Sequence, residues 1–225
     1  AFDNPIRFID PDGMSPLTDY YNLDGKPVKH VEDGKKDKKL VLTYSKKEDV
    51  VNKEIDGGRV INVPSNDVVD KMSDAYKETE SNGKEHGFVV GQNGKISKIV
   101  EGSEREIGRK KWQEARKDIY DQGDKSDYDV HVHPNHLNED GSGEVGKPEP
   151  GDEDKKPENN IGFTQPSVVL GYERVVTPPP SNQIGGNPIV EFVKMIGFYT
   201  TSGQINNVEI KFIDFSNAVK KINKQ

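Results

Sequence analysis

Tyr128-Asp129-Val130-His131-Val132-His133-Pro134 is the stretch on which the fold and the chemistry of this chain turn. Its apolar and polar residues alternate, and side chains along a strand repeat with period two. Val130 and Val132 therefore belong to one face, and His131 and His133 to the other. Pro134 has no backbone N–H and predicts the end of the ladder, with both imidazoles at the strand's mouth. Only five histidines occur in the chain, so a pair on one face is a concentrated signal. Two imidazoles there can share a metal ion. The plainer interpretation of a bare His-x-His is a half-buried strand with two solvated rings.

Working outward, Glu85-His86-Gly87-Phe88-Val89-Val90-Gly91 predicts a second apolar strand, followed by an Asn93-Gly94 turn and a strand over 95–100. Gly108 to Gln122 predicts a helix with Trp112, Ala115, Ile119 and Tyr120 on one face. Another is expected from Ser65 to Ser81, where Ser65 can cap the first turn and Val68, Val69, Met72, Ala75 and Tyr76 recur at helical spacing. Strands are expected at 40–44, 60–63, 167–177, 189–195 and 208–212, and a C-terminal helix over 214–222. Residues 135–160 are a long polar segment rich in Gly, Pro, Asp and Glu. Residues 15–39, with their Lys35–Lys39 charge run, read as a linker. His86 and His136 read as surface residues. These elements predict an α+β or α/β fold, a mixed central sheet flanked by helices, with the metal at the sheet edge.

Composition bounds the chemistry. Only 31% of the 225 residues are hydrophobic and 32% are charged, and mean hydropathy is -0.87, so the core must be compact. The net charge of -7 argues against a nucleic-acid partner, which selects a basic face. Without cysteine, disulfides and thiolate zinc sites are excluded, and any metal must be held by His and carboxylates. No stretch has the apolar run needed to span a membrane. No signal peptide is visible in this fragment, and the first residue, Ala1, is expected to lie within a longer protein.

Three pieces line up in order: Glu85 at the head of a strand, His131 and His133 on a later one, and Asp152 in Pro148-Glu149-Pro150-Gly151-Asp152. Two imidazoles and a carboxylate are a catalytic zinc set with one position left open. Glu85 is the candidate general base. The same pieces resemble the JAB/MPN (JAMM) metallopeptidases, whose pattern is a Glu in a Glu-x-x-Gly-like setting, then His-x-His-Pro, then Ser-x-x-Asp. Glu85-His86-Gly87 matches the first loosely, and His131-Val132-His133-Pro134 matches the second in full. The resemblance implies a zinc-dependent peptidase or isopeptidase with His131, His133 and Asp152 as ligands and Glu85 as base. It also implies Glu149 in the place of the family's Ser. An ionised Glu cannot donate to an oxyanion, so Ser142 and Ser167 become candidate donors.

The N-terminal Asn4-Pro5-Ile6-Arg7-Phe8-Ile9-Asp10-Pro11-Asp12-Gly13-Met14 resembles the end of the Rhs/YD-repeat core, a shell that carries variable C-terminal toxins. That resemblance implies residues 1–25 as core end and linker, and 26–225 as a JAB-like toxin domain. It further implies a secreted effector acting on a protein substrate inside a target cell, an Rhs-repeat shell in the same polypeptide, and a cognate immunity protein. Two alternatives belong to other classes. Asp129-x-His131-x-His133 also resembles the first motif of PHP-type metal-dependent phosphoesterases, which would make the chain a nuclease-like toxin with a second metal. The other is a catalytically inactive binding module on an Rhs carrier.

Overall fold

The structure, a computed structural model, describes residues 17–138, 142–179 and 188–225, so the Rhs-like string at 1–14 lies outside the described residues. In chain order the elements are β1 (Leu17–Tyr21), β2 (Pro27–Glu32), β3 (Lys38–Val41), α1 (Glu48–Asp56), β4 (Val60–Asn62), α2 (Asn66–Asn82), β5 (His86–Gly91), β6 (Val100–Glu101), α3 (Arg109–Asp121), β7 (Ser126–Val132), β8 (His136–Leu137), β9 (Gly143–Glu144), β10 (Ser167–Thr177), β11 (Ile189–Thr200), β12 (Gly203–Gln204), β13 (Ile210–Lys211) and α4 (Phe212–Ile222). The class is α+β, with a large mixed sheet ordered β12-β11-β10-β7-β5-β6, β13 also pairing with β11, and a smaller sheet ordered β2-β1-β3-β4.

Period two along β7 divides the molecule. Val130 and Val132, both fully buried, face a core that gathers Phe88 and Val90 of β5, Val168 and Leu170 of β10, Phe198 of β11, and the apolar stripes of α2 and α4. Helix α2 forms as expected: the Ser65 hydroxyl accepts from Val68 N at 3.4 Å, and Gly83 closes the helix in the left-handed region. On the opposite face α3 packs a smaller cluster of Val89, Val100, Ile107, Ala115 and Ile119, with Trp112 against it. Tyr120, expected on that buried face, is 77% exposed.

Several expectations need correction, and of the strand expected over 95–100 only Val100 falls in one, β6. The linker over 15–39 contains β1 and β2, and Tyr21 and Leu23 belong to the main core. The packing therefore places residues 17–25 within the folded domain, not ahead of it. Helix α1 was not foreseen; it buries only Val51, so no apolar stripe marks it. His86 is buried, with Nδ1 3.2 Å from Thr79 Oγ1 and 3.1 Å from the Lys84 carbonyl oxygen, because it opens β5 on the side of α2. The strand that carries the His-x-His pair is not at the sheet edge: β7 lies inside the sheet, antiparallel to β5 and parallel to β10. Parallel neighbours require a crossover, and the long polar segment after Pro134 is that connection. It crosses the sheet on the histidine face, which is how it reaches the site.

Candidate metal centre

β7 delivers the two histidines as the alternation predicts. His133 N still donates to Leu170 O of β10 at 2.9 Å, and Pro134 then ends the pairing. The Nε2 atoms of His131 and His133 are 3.1 Å apart. Asp154 Oδ2 sits 3.4 Å from His131 Nε2 and 3.8 Å from His133 Nε2. A tetrahedral zinc with ligand bonds of about 2.0–2.1 Å has donor–donor edges of about 3.3–3.4 Å. The trio therefore stands close to the spacing such an ion imposes, and all three donors lie within 4.8 Å of one another.

The carboxylate in this trio is Asp154, not Asp152. The side chain of Asp152 is 99% exposed and pairs with Lys155 at 2.8 Å. Residues 152–155 form a turn, so carboxylates two positions apart point in different directions. Asp154 is turned inward, and Gly151 N–H donates to its Oδ2 at 2.7 Å. Nothing in the sequence separates Asp154 from Asp152, since both lie in Gly151-Asp152-Glu153-Asp154 and only the fold turns one of them inward. Glu149 is part of the cleft wall. The other candidate donors are elsewhere. Ser167 is buried outside the cleft lining, its hydroxyl 3.4 Å from Asp129 N, and Ser142 accepts from the Asn138 side chain at 2.9 Å in the β8–β9 hairpin.

Glu85 lies at the head of β5 as expected and is only 6% exposed. Its Oε1 is 3.9 Å from His133 Nε2, beside the trio but not part of it. Gly87, two residues on and paired with His131, leaves room there: a Cβ would meet Val130 O at 2.6 Å and Trp112 Cη2 at 2.8 Å. The Trp112 ring stands edge-on to His131 with centroids 6.3 Å apart, a wall of the site that the sequence placed only on a helix face. The surrounding cleft has a volume of about 940 Å³.

The electrostatics favour a positive charge at the centre. Burial opposes protonation of His131, but Asp154, Glu85 and Asp129 push its pKa up to about 9. Burial and the His131 charge together pull His133 down to about 4. Burial acts to raise Asp154, yet the His131 charge and hydrogen bond hold it well below the usual carboxylate range. Glu85 is raised by burial to about 7, against the opposing pull of His131. His131 Nδ1 is buried without a hydrogen-bond partner among the described residues, so the ring's polar contacts run through Nε2 to the trio. His133 Nδ1–H donates to Lys147 O at 2.9 Å, which leaves its Nε2 lone pair directed at the same point. Buried imidazoles with Nε2 presented and an ionised carboxylate are a donor set that fits zinc.

Of the remaining histidines, His30 pairs with Asp19, His86 faces α2, and His136 Nε2–H donates to Glu104 O. None joins a second cluster; among the described residues the trio is the only group with metal-ligand spacing. No described helix is long and apolar enough to cross a membrane. A scan of protein-family models, a search of curated proteins and a search of solved structures each found no match to this chain.

Proposed function

We propose that this chain is a zinc-dependent peptidase or isopeptidase of the JAB/MPN kind, delivered as the toxin domain of an Rhs-type carrier and neutralised by a cognate immunity protein in the producing cell. The observation that carries this is a buried carboxylate, Glu85, held beside a His131–His133–Asp154 trio without joining it. Zinc in that trio would supply a Lewis acid and bring the pKa of an adjacent water towards neutrality. Glu85 then accepts a proton from water in the cleft and hands it to the leaving amine. Trp112 and the crossover segment wall the site and limit its exposure to solvent. The one trio among the described residues supports a single-metal peptidase over the two-metal phosphoesterase alternative.

A second reading has its own support. Gly151 occupies the Ser place of the Ser-x-x-Asp spacing and brings no hydroxyl, which favours a binding module that keeps a metal for structure. Glu85→Gln separates the two. It keeps size and removes the base, so zinc content should match the parent while toxicity in a recipient cell falls by about 10²-fold or more. His131→Ala should lose zinc and toxicity together. If both variants stay fully toxic, the peptidase reading fails and the binding module takes its place.

A further inference from the structure

We propose that Gly171 of β10 and Gly197 of β11 are positioning residues for the metal centre, acting as a saddle on which the crossover is seated so that it fixes His133. This rests on the metal-site part of the function proposed above. The register sets the geometry. Val169 pairs with His131 on one side and with Gly197 on the other, so Gly171 and Gly197 share the histidine face of the sheet. Beyond Pro134 that face has no β7 beside it. The segment 146–148 takes the vacated place, and Tyr172 N donates to Gly146 O at 2.6 Å where a strand partner would otherwise stand.

The segment lies so close to the sheet that only glycine fits beneath it. A Cβ on Gly171 would strike the Gly146 carbonyl oxygen and come within 2.5 Å of Lys147 C and Pro148 N. One on Gly197 would strike the Pro148 carbonyl oxygen. Those contacts are with backbone, so relief requires the segment to lift. Its other anchor, Gly146 N to Asn135 Oδ1 at 3.0 Å, lies on the crossover itself and moves with it. Lys147 O, between the two saddle points, accepts the His133 Nδ1 proton. Lifting the segment therefore withdraws the acceptor that keeps the proton on Nδ1 and the lone pair on Nε2.

The test uses ¹⁵N-histidine spectra and zinc affinity by competition with a chelating indicator. In the metal-free parent at a pH where His133 is neutral, its proton should sit on Nδ1. Gly171→Ala and Gly197→Ala should each show a mixture of tautomers and bind zinc about 10–100-fold more weakly, the range for lost second-shell partners, with far-UV circular dichroism like the parent's. A folded Gly197→Ala or Gly171→Ala that binds zinc as tightly as the parent overturns the saddle while leaving the metal centre intact. A parent that takes up no zinc overturns the metal centre and the saddle with it. Should neither variant fold, the parent decides: His133 protonated on Nε2 sinks the proposal.

Discussion

The two faces of β7 are built from alternate residues of one strand, yet they hold their neighbours by different means. Val130 and Val132 meet a broad apolar surface from two sheets and two helices, where many contacts share the load. The polar contacts of His131 and His133 are with single groups: one oxygen of Asp154, one carbonyl of Lys147, one carboxylate at Glu85. Dispersion and burial are nondirectional and tolerate exchange of shape for shape. A ligand set tolerates displacement by only a few tenths of an ångström. Stability should therefore respond to substitutions on the first face and metal affinity to those on the second, with little crossover.

The largest effect expected is on the apolar face. Phe88 is fully buried, and Phe88→Ala should lower unfolding free energy by about 3–5 kcal/mol in chemical denaturation. Zinc affinity of the folded fraction should stay within about twofold of the parent; a collapse of affinity would show that the two faces are coupled. On the polar face, Asp154→Ala should weaken zinc binding by more than about 100-fold, beyond what second-shell losses produce. Calorimetric titration with zinc decides this, and parental affinity in that variant would end the ligand assignment.

A smaller effect concerns a carboxylate that is purely structural. Asp124 accepts from Asn93 N at 3.0 Å, the Asn93 amide at 2.8 Å and Lys125 N at 2.7 Å. Burial acts to raise its pKa, but these donors outweigh it and the value lies below the ordinary one. Asp124→Ala should cost about 1–3 kcal/mol, since it leaves backbone donors unmet. A depressed carboxylate stabilises the fold above its unfolded pKa, near 4, and that contribution disappears as pH falls through the folded value. The stability gap between parent and variant should thus be full at pH 7 and shrink below about pH 4; a gap that persists at low pH would show a steric origin. Smallest of all, Asp152→Ala should change stability by no more than about 0.5 kcal/mol, as surface substitutions do, and leave zinc affinity untouched.

Legibility followed how local each signal was. Helix α2, helix α3 and strand β10 carry their periodicity within their own residues, α2 with its Ser65 cap besides, and all three stand where the pattern put them. Strands β1 and β2 did not, because they are short and largely polar, and one of their two faces is solvated; Tyr21 and Leu23 are buried in a core built from residues distant in sequence. The Val208–Phe212 stretch was expected as a strand, but only Ile210–Lys211 pairs and Phe212 already opens α4.

The sequence alone determined the chemistry of the centre: two histidines on one strand face, closed by a proline, with a glutamate at the head of another strand. Those facts follow from period two and from a missing N–H, and neither depends on distant residues. Only the tertiary structure decided which carboxylate completes the set. Asp152 and Asp154 are equivalent as residue types and stand two positions apart in one turn. What separates them is the folded turn against the sheet, which sets Asp154 Oδ2 3.4 Å from His131 Nε2 and leaves Asp152 in water beside Lys155.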